Sequence, residues 1–245
     1  MGIGRRAQGP IATPPGDYTV ILRPEAVADM LAFLARLGFG AMAVDDGRSF
    51  VAGQRGQRVL GENVTLWDDG HDPAGLPLPF DYEGTPRGRL ALIDGGVAGD
   101  IATDAYYAGK LSWPNNGHAL PVTADFYAGP IPGNPFMAPG DKTVEEMIAS
   151  TERGLLITHF HYTRAVHPLR VIVTGMTRDG TFLIERGEVT RRQHLVAVGL
   201  GKCDQALLNG VDHRPVSGVL FLHQNWPIFR LCRRDDHDDL PSRKG

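Results

Sequence analysis

Three groups of side chains in this sequence have the types and spacing for chemistry. His159 and His161 flank Phe160, with His167 further along. On a strand, residues two apart share a face, so the two imidazoles could meet. Zinc would need a third ligand, from His167 or His118. The competing reading, and the one favoured, is a row of polar residues on an exposed strand face. Asp68, Asp69, Asp81 and Glu83 make an acidic set around a loop that ends in Gly84. Paired carboxylates suit acid–base work, or Ca²⁺ or Mg²⁺ bound through oxygen. Asp-Asp-Gly and Asp-Tyr-Glu-Gly are equally good turn sequences. Asn115-Asn116-Gly117-His118 reads as a flap or as a surface turn.

Other motifs carry less. The glycine pairs Gly95-Gly96 and Gly53/Gly56 lack the strand–glycine–helix setting that cradles phosphate. Ser49 has no nucleophile elbow around it. Arg178-Asp179-Gly180 is read as a hairpin turn. Cys203 and Cys232 do not make a disulfide framework and are expected as free thiols in a reducing cytoplasm.

The elements that would position these groups are mostly strands. Glycine (31) and proline (18) punctuate the chain too often for a helical bundle. Residues 1–16 are expected as a disordered lead-in and Asp17–Leu22 as a short strand. The clearest helix runs from Pro24 to about Leu37. Pro24 suits a first helical position, and Glu25 suits the positive helix end. Val27, Met30, Leu31, Leu34 and Leu37 fall on one face, and Gly38 is a plausible stop.

Beyond it, Val64–Trp67 and Leu90–Ile93 read as strands. Asp94-Gly95-Gly96 is a hairpin signal after the second. Asp100–Leu111 fits a short helix or a strand. Trp113–Pro139 is expected as a long ordered loop or a substrate-facing flap. Asp141 is expected to cap a helix near Thr143–Glu152, with Val144, Met147 and Ile148 buried. Leu155–Tyr162, Arg170–Met176 and Thr181–Glu185 read as strands. The pattern predicts antiparallel sheets with two or three helices, an α+β, mostly β fold.

A net charge of −3 argues against nucleic acid as the main partner, because phosphate contacts need clustered cations. No apolar run approaches the roughly 18 residues of a membrane span. The first ten residues show neither an apolar signal-peptide region nor a myristoylation pattern, Arg6 standing where Ser or Thr is wanted.

Several stretches, taken in order, resemble the C-terminal half of the TldD/PmbA family. They are PPGDYTVILRPEAVADML (14–31), GRSFVAGQRG (47–56), PFDYEGTPRGRLALIDGGV (79–97), GHAL (117–120), APGDKTVEEMI (138–148), GLLITHFHYTR (154–164) and TGMTRDGTFLIERGEV (174–189). The resemblance implies a large antiparallel sheet, barrel-like, in a C-terminal-type domain spanning residues 17–190. Catalytic members of the family are zinc peptidases. They present His-Glu-x-x-x-His on a helix and take a third ligand from a cysteine near the C-terminus.

Here the aligned helix reads Pro24-Glu25-Ala26-Val27-Ala28-Asp29. Pro24 stands at the first histidine position and Asp29 at the second, so no metal is expected on this chain. Glu25 alone survives, as a weak catalytic candidate that is read first as a helix-end charge. This is the pattern of the family's TldE (PmbA)-type subunit, which pairs with a zinc-bearing TldD-type subunit around a shared peptide cavity. The resemblance puts Asp81, Glu83, Gly84, Asn116 and His118 as candidates to line that cavity. Peptides would be gripped as an added strand on a sheet edge.

Residues 191–245 depart from the family pattern and are expected as a divergent, poorly ordered tail. Neither cysteine sits in the glycine-rich setting of the family's zinc ligand. A frameshift is one hypothesis for the abrupt change, and an intact-mass measurement of the native product tests it. The rival readings of function are a peptide-binding module without protease activity, a peptidase using His159 and His161, and a decayed fragment.

Overall fold

The computed structural model describes residues 16–121, 129–192, 197–200, 221–223 and 226–231. Among these, strands and short helices alternate as β1 (Gly16–Leu22), α1 (Pro24–Gly38), α2 (Ala41–Asp45), β2 (Leu66–Asp69), β3 (Arg89–Asp94), β4 (Val97–Ala98), α3 (Ala105–Leu111), β5 (Pro135–Met137), α4 (Val144–Ala149), β6 (Arg153–His167), β7 (Ile172–Glu185), β8 (Glu188–Arg192), β9 (Ala197–Leu200), β10 (Phe221–His223) and β11 (Trp226–Leu231). The class is α+β and mostly β, as the turn-rich sequence implies.

The strands form two sheets. The larger runs β1-β6-β7-β9-β11-β10, with β8 on β7 and β11 also paired with β1, which folds the sheet back on itself. The smaller runs β4-β3-β2-β5. One pairing departs from the expected antiparallel pattern. β1 and β6 run parallel, Thr19 opposite Gly154 through Leu22 opposite Ile157. They can do so because the chain between them includes four helices and the whole smaller sheet, ample length for a crossover.

Helix α1 starts where proline allows, at its first position, and carries Glu25 in its first turn. Its apolar residues divide between two cores. Ala26, Met30 and Leu37 pack with Val20, Leu22, Leu155, Ile157 and Phe160 of the larger sheet. Leu34 packs with Leu66, Leu90, Leu92 and Ile93 of the smaller one. The helix therefore joins the two sheets. A third core, Ile21, Leu156, Phe182 and Ile184, takes Val144, Met147 and Ile148 of α4, the face expected from sequence.

Several local expectations are corrected. Arg178-Asp179-Gly180 is not a hairpin turn but lies inside β7. Asp179 takes φ 64°, a left-handed kink within the strand, and the Thr158 hydroxyl donates to the carbonyls of Arg178 and Gly180, 3.0 Å each. The chain reverses instead at 168–170, between β6 and β7. The cap of α4 is Thr143, not Asp141, in a capping box with Glu146. Asp100–Leu111 resolves as α3, capped by Asp104. Residues 135–137, inside the expected long loop, are β5. The Asp94-Gly95-Gly96 turn stands, joining β3 to β4. No helix is long and apolar enough to cross a membrane among the described residues.

Candidate functional site

The region that resemblance marks as metal-binding is the start of α1. Pro24 is its first residue and has no ligand atom. Glu25 is half exposed and lies 3.9 Å from Arg23 Nε. Asp29 Oδ2 accepts the backbone N–H of Phe160 at 3.0 Å, tying the helix to β6. One carboxylate spent on a backbone donor and one surface glutamate do not make a zinc site, which needs three protein ligands and an open position. No step through a metal follows from these residues.

His159 and His161 lie on β6. A shift of register between Ile157 and His159 puts Phe160, not His159, in the core. Both histidines therefore face away from α1. His159 Nδ1 is 3.1 Å from Asp179 Oδ2. His161 Nδ1 accepts from the Arg178 guanidinium at 3.2 Å, and its ring meets Tyr162 edge-on. A guanidinium against the ring nitrogen opposes a metal cation there. Among the described residues no three or more His, Cys, Asp or Glu are grouped to hold a metal ion. Cys203 and Cys232 lie outside the described residues.

The five cavity candidates fall in one loop assembly against the smaller sheet. Asp81 Oδ1 accepts the N–H groups of Glu83 (2.9 Å) and Thr85 (2.8 Å), and its Oδ2 accepts that of Ala119 (3.0 Å). Glu83 Oε2 accepts from Ala105 N–H at the start of α3, 2.9 Å away. Gly84 has φ 80°, the left-handed geometry of the turn they close. Asn116 is oriented by the backbone: Oδ1 accepts from Thr103 N–H and Nδ2 donates to Ile101 C=O, each at 2.8 Å. His118 is buried, its Nδ1 2.8 Å from Asn116 Oδ1 and its Nε2 3.1 Å from Asp68 Oδ2.

Asp68 is the centre of this assembly. It is 0% exposed, on β2. Its Oδ1 accepts Asn134 N–H at 2.6 Å, and its Oδ2 accepts the Arg87 guanidinium at 2.5 Å beside His118. Burial pushes its carboxyl up. The hydrogen bonds from His118 and Asn134, with the charges of His118 and Arg87, outweigh that and hold it below the ordinary carboxylate value. A buried anion so enclosed fixes the loops at 79–88, 101–119 and 130–134 relative to β2. It is a positioning centre, because it is fully buried and both of its oxygens accept from protein donors.

Sequence reasoning missed Arg87 and Asn134. They stand 19 and 66 residues from Asp68, and no local pattern signals either pairing. It also missed the outer face of the smaller sheet. There Trp67 stacks on Phe136, centroids 5.7 Å apart and 14° from parallel, with the Arg89 guanidinium 4.4 Å from the Trp67 centroid. The faint signal was alternation: Leu66 and Asp68 inward, Trp67 and Asp69 outward.

Residues 15–198 match the PmbA/TldA metallopeptidase C-terminal domain. A metalloprotease of Methanothermobacter thermautotrophicus is 26% identical over 152 residues, 60% of this chain and 32% of that protein. The zinc metalloprotease TldD homolog of Saccharolobus solfataricus is 25% identical over 144 residues, 57% and 31%. The crystal structure of TldE from Thermococcus kodakarensis superposes with a TM-score of 0.69 at 21% identity, over 93% of this chain and 51% of that one. That likeness is one of fold. The chain spans about half the length of that structure and matches about a third of each of these curated relatives.

Proposed function

The chain belongs to the PmbA/TldA metallopeptidase family, and we propose that it acts there as a TldE-like subunit without its own metal. Its partner in this reading is a zinc-bearing TldD-type subunit, in the cytoplasm, and the pair cleaves small or unfolded peptides. This chain supplies surface that positions the peptide. The zinc, held by the partner, supplies the Lewis acid and activated water of peptide hydrolysis.

The observation that carries the reading is the start of α1. Pro24 and Asp29 stand where the resemblance puts the two histidines; Pro24 opens the helix, and Asp29 accepts Phe160 N–H. At this position the chain has a tie between helix and sheet. The loop assembly around Asp68 supports a positioning role, since hydrogen bonds hold Asp81, Glu83, Asn116 and His118 to neighbouring loops, with Gly84 in the turn between them. These residues are proposed as the wall that supports the shared cavity.

The test is metal analysis and a peptidase assay on the chain alone and mixed with a TldD-type subunit from the same source. Metal-free, inactive protein that changes the partner's activity on mixing is the expected outcome. Stoichiometric zinc with activity in the chain alone overturns the reading and points back to His159 and His161. No effect in either condition overturns it in favour of a non-functional fragment.

A further inference from the structure

The outer face of the smaller sheet carries two unlike cross-strand pairs. β2 and β3 are antiparallel neighbours, with Asp69 opposite Arg89 and Trp67 opposite Ala91. Residues two apart on a strand share a face, so all four side chains stand on one side of the sheet. Arg89 and Ala91 are exposed, and Trp67 and Asp69 are half-buried. One pair sets an anion beside a cation. The other sets a large ring beside a methyl group.

The charged pair does not close on itself. Among the described residues no ion pair joins Asp69 to Arg89. The Arg89 guanidinium lies instead 4.4 Å from the Trp67 centroid, and Asp69 Oδ1 accepts the backbone N–H of His71 at 2.9 Å. Stacking engages the flat face of a guanidinium and leaves its edge N–H donors available. Trp67 is braced between Arg89 and its other cross-strand partner, Phe136 of β5, with ring centroids 5.7 Å apart. The face is thus pre-organised, aromatic at its centre, with a cation and an anion side by side.

A two-fold axis running along the strands between β2 and β3 carries each residue onto the position of its cross-strand partner. In a face-to-face pair of chains, Asp69 of one copy then meets Arg89 of the other, and Trp67 meets Ala91. Each contact occurs twice, as in any isologous interface. The rotation keeps the strands of the two sheets aligned, one of the two ways in which sheets pack face to face. We propose that this face joins two copies of the chain in a symmetric dimer. Any other partner has to present the same pattern of charge and size in reverse order, whereas a second copy presents it by symmetry alone. The Trp67 ring and the Arg89 guanidinium form the centre of the contact, and these are residue types that dominate interface energetics. The proposal does not rest on the subunit role above.

The test is sedimentation velocity of the full chain over a range of concentrations, with charge-reversed variants. The unaltered chain dimerises reversibly. Arg89→Asp and Asp69→Arg each place like charges against one another twice, and each weakens the dimer at least ten-fold. An equimolar mixture of the two variants restores it, because every contact between the unlike copies again joins an Asp to an Arg. Ala91→Trp fills the space that the second copy's Trp67 takes, and also weakens the dimer at least ten-fold, although it adds apolar surface. Thermal unfolding checks that each variant is folded, and the exposed Ala91 position supplies the test should a charge reversal fail to fold. A chain that stays monomeric at sub-millimolar concentration, single variants that dimerise like the unaltered chain, folded reversals that do not complement one another, or an Ala91→Trp chain that associates more strongly overturns the proposal. Arg89→Asp that blocks association with a TldD-type subunit while the chain alone stays monomeric assigns the face to that subunit and overturns it too.

Discussion

Asp68 shows how much one residue can fix in this fold. Its carboxylate has the Arg87 guanidinium, the His118 ring and a backbone N–H around it, and no exposed surface. Removing one partner of a buried pair leaves the others uncompensated, at a cost of about 3–5 kcal/mol. Asp68→Asn is expected to lose stability of that order at pH 7. The folded-state pKa of Asp68 lies below its ordinary value. Its contribution is therefore complete above about pH 4–5, where the unfolded chain is already ionised, and is lost as pH falls through the lower folded value. Urea unfolding of wild type and Asp68→Asn from pH 7 to pH 3 should show a constant gap that narrows below about pH 4. A gap that widens on acidification would mean that the anion does not stabilise the network. Asp29 makes the complementary point, since a position read as a failed metal ligand has a structural use of its own.

Among elements, the kink in β7 tests whether a strand can hold a left-handed residue. Asp179 at φ 64° is held by the Thr158 hydroxyl bonds on both sides of it. A left-handed backbone costs L-residues with a Cβ about 1–2 kcal/mol, less for Asp and Asn. Asp179→Asn should leave stability nearly unchanged, and Asp179→Val should cost about 1–2 kcal/mol in chemical denaturation. Equal stability of the two variants would show that the strand runs straight there. This kink is also where sequence reading failed most clearly. Asp-Gly is a local turn signal, but the outcome was set by Thr158, 20 residues away on the neighbouring strand. Helix α1 was legible because its cues are local: proline at the start, and apolar residues recurring on one face. α2 was not, since five residues, Ala41–Asp45, are too few to show a period. The acidic set at 68–83 was legible as residue types only. That Asp81 closes a turn while Asp68 is buried against Arg87 and His118 depends on contacts up to 50 residues apart.

For the whole molecule, the larger sheet depends on its last strands. β11 pairs β1 from Gly16–Leu231 to Thr19–Ile228, and β9 pairs β7 from Val173–Leu200 to Met176–Ala197. These strands come from the segment whose sequence departs from the family pattern, yet they occupy the positions that cover β1 and the first half of β7. An uncovered strand presents a row of unpaired N–H and C=O groups, a template for association. Deleting residues 193–245 should therefore expose the outer side of β1 and the Val173–Met176 stretch of β7 together. The expected result is loss of monomeric or defined dimeric protein in favour of large aggregates on size exclusion. Faster hydrogen exchange should accompany it at Thr19 and Gly175, with the smaller sheet around Asp68 unaffected. A truncated chain that stays monodisperse, with β1 amides as protected as in the full chain, would show that the divergent segment contributes nothing to the sheet. The smaller sheet offers the internal control, because all four of its strands lie between residues 66 and 137 and, among the described residues, none pairs with the deleted segment.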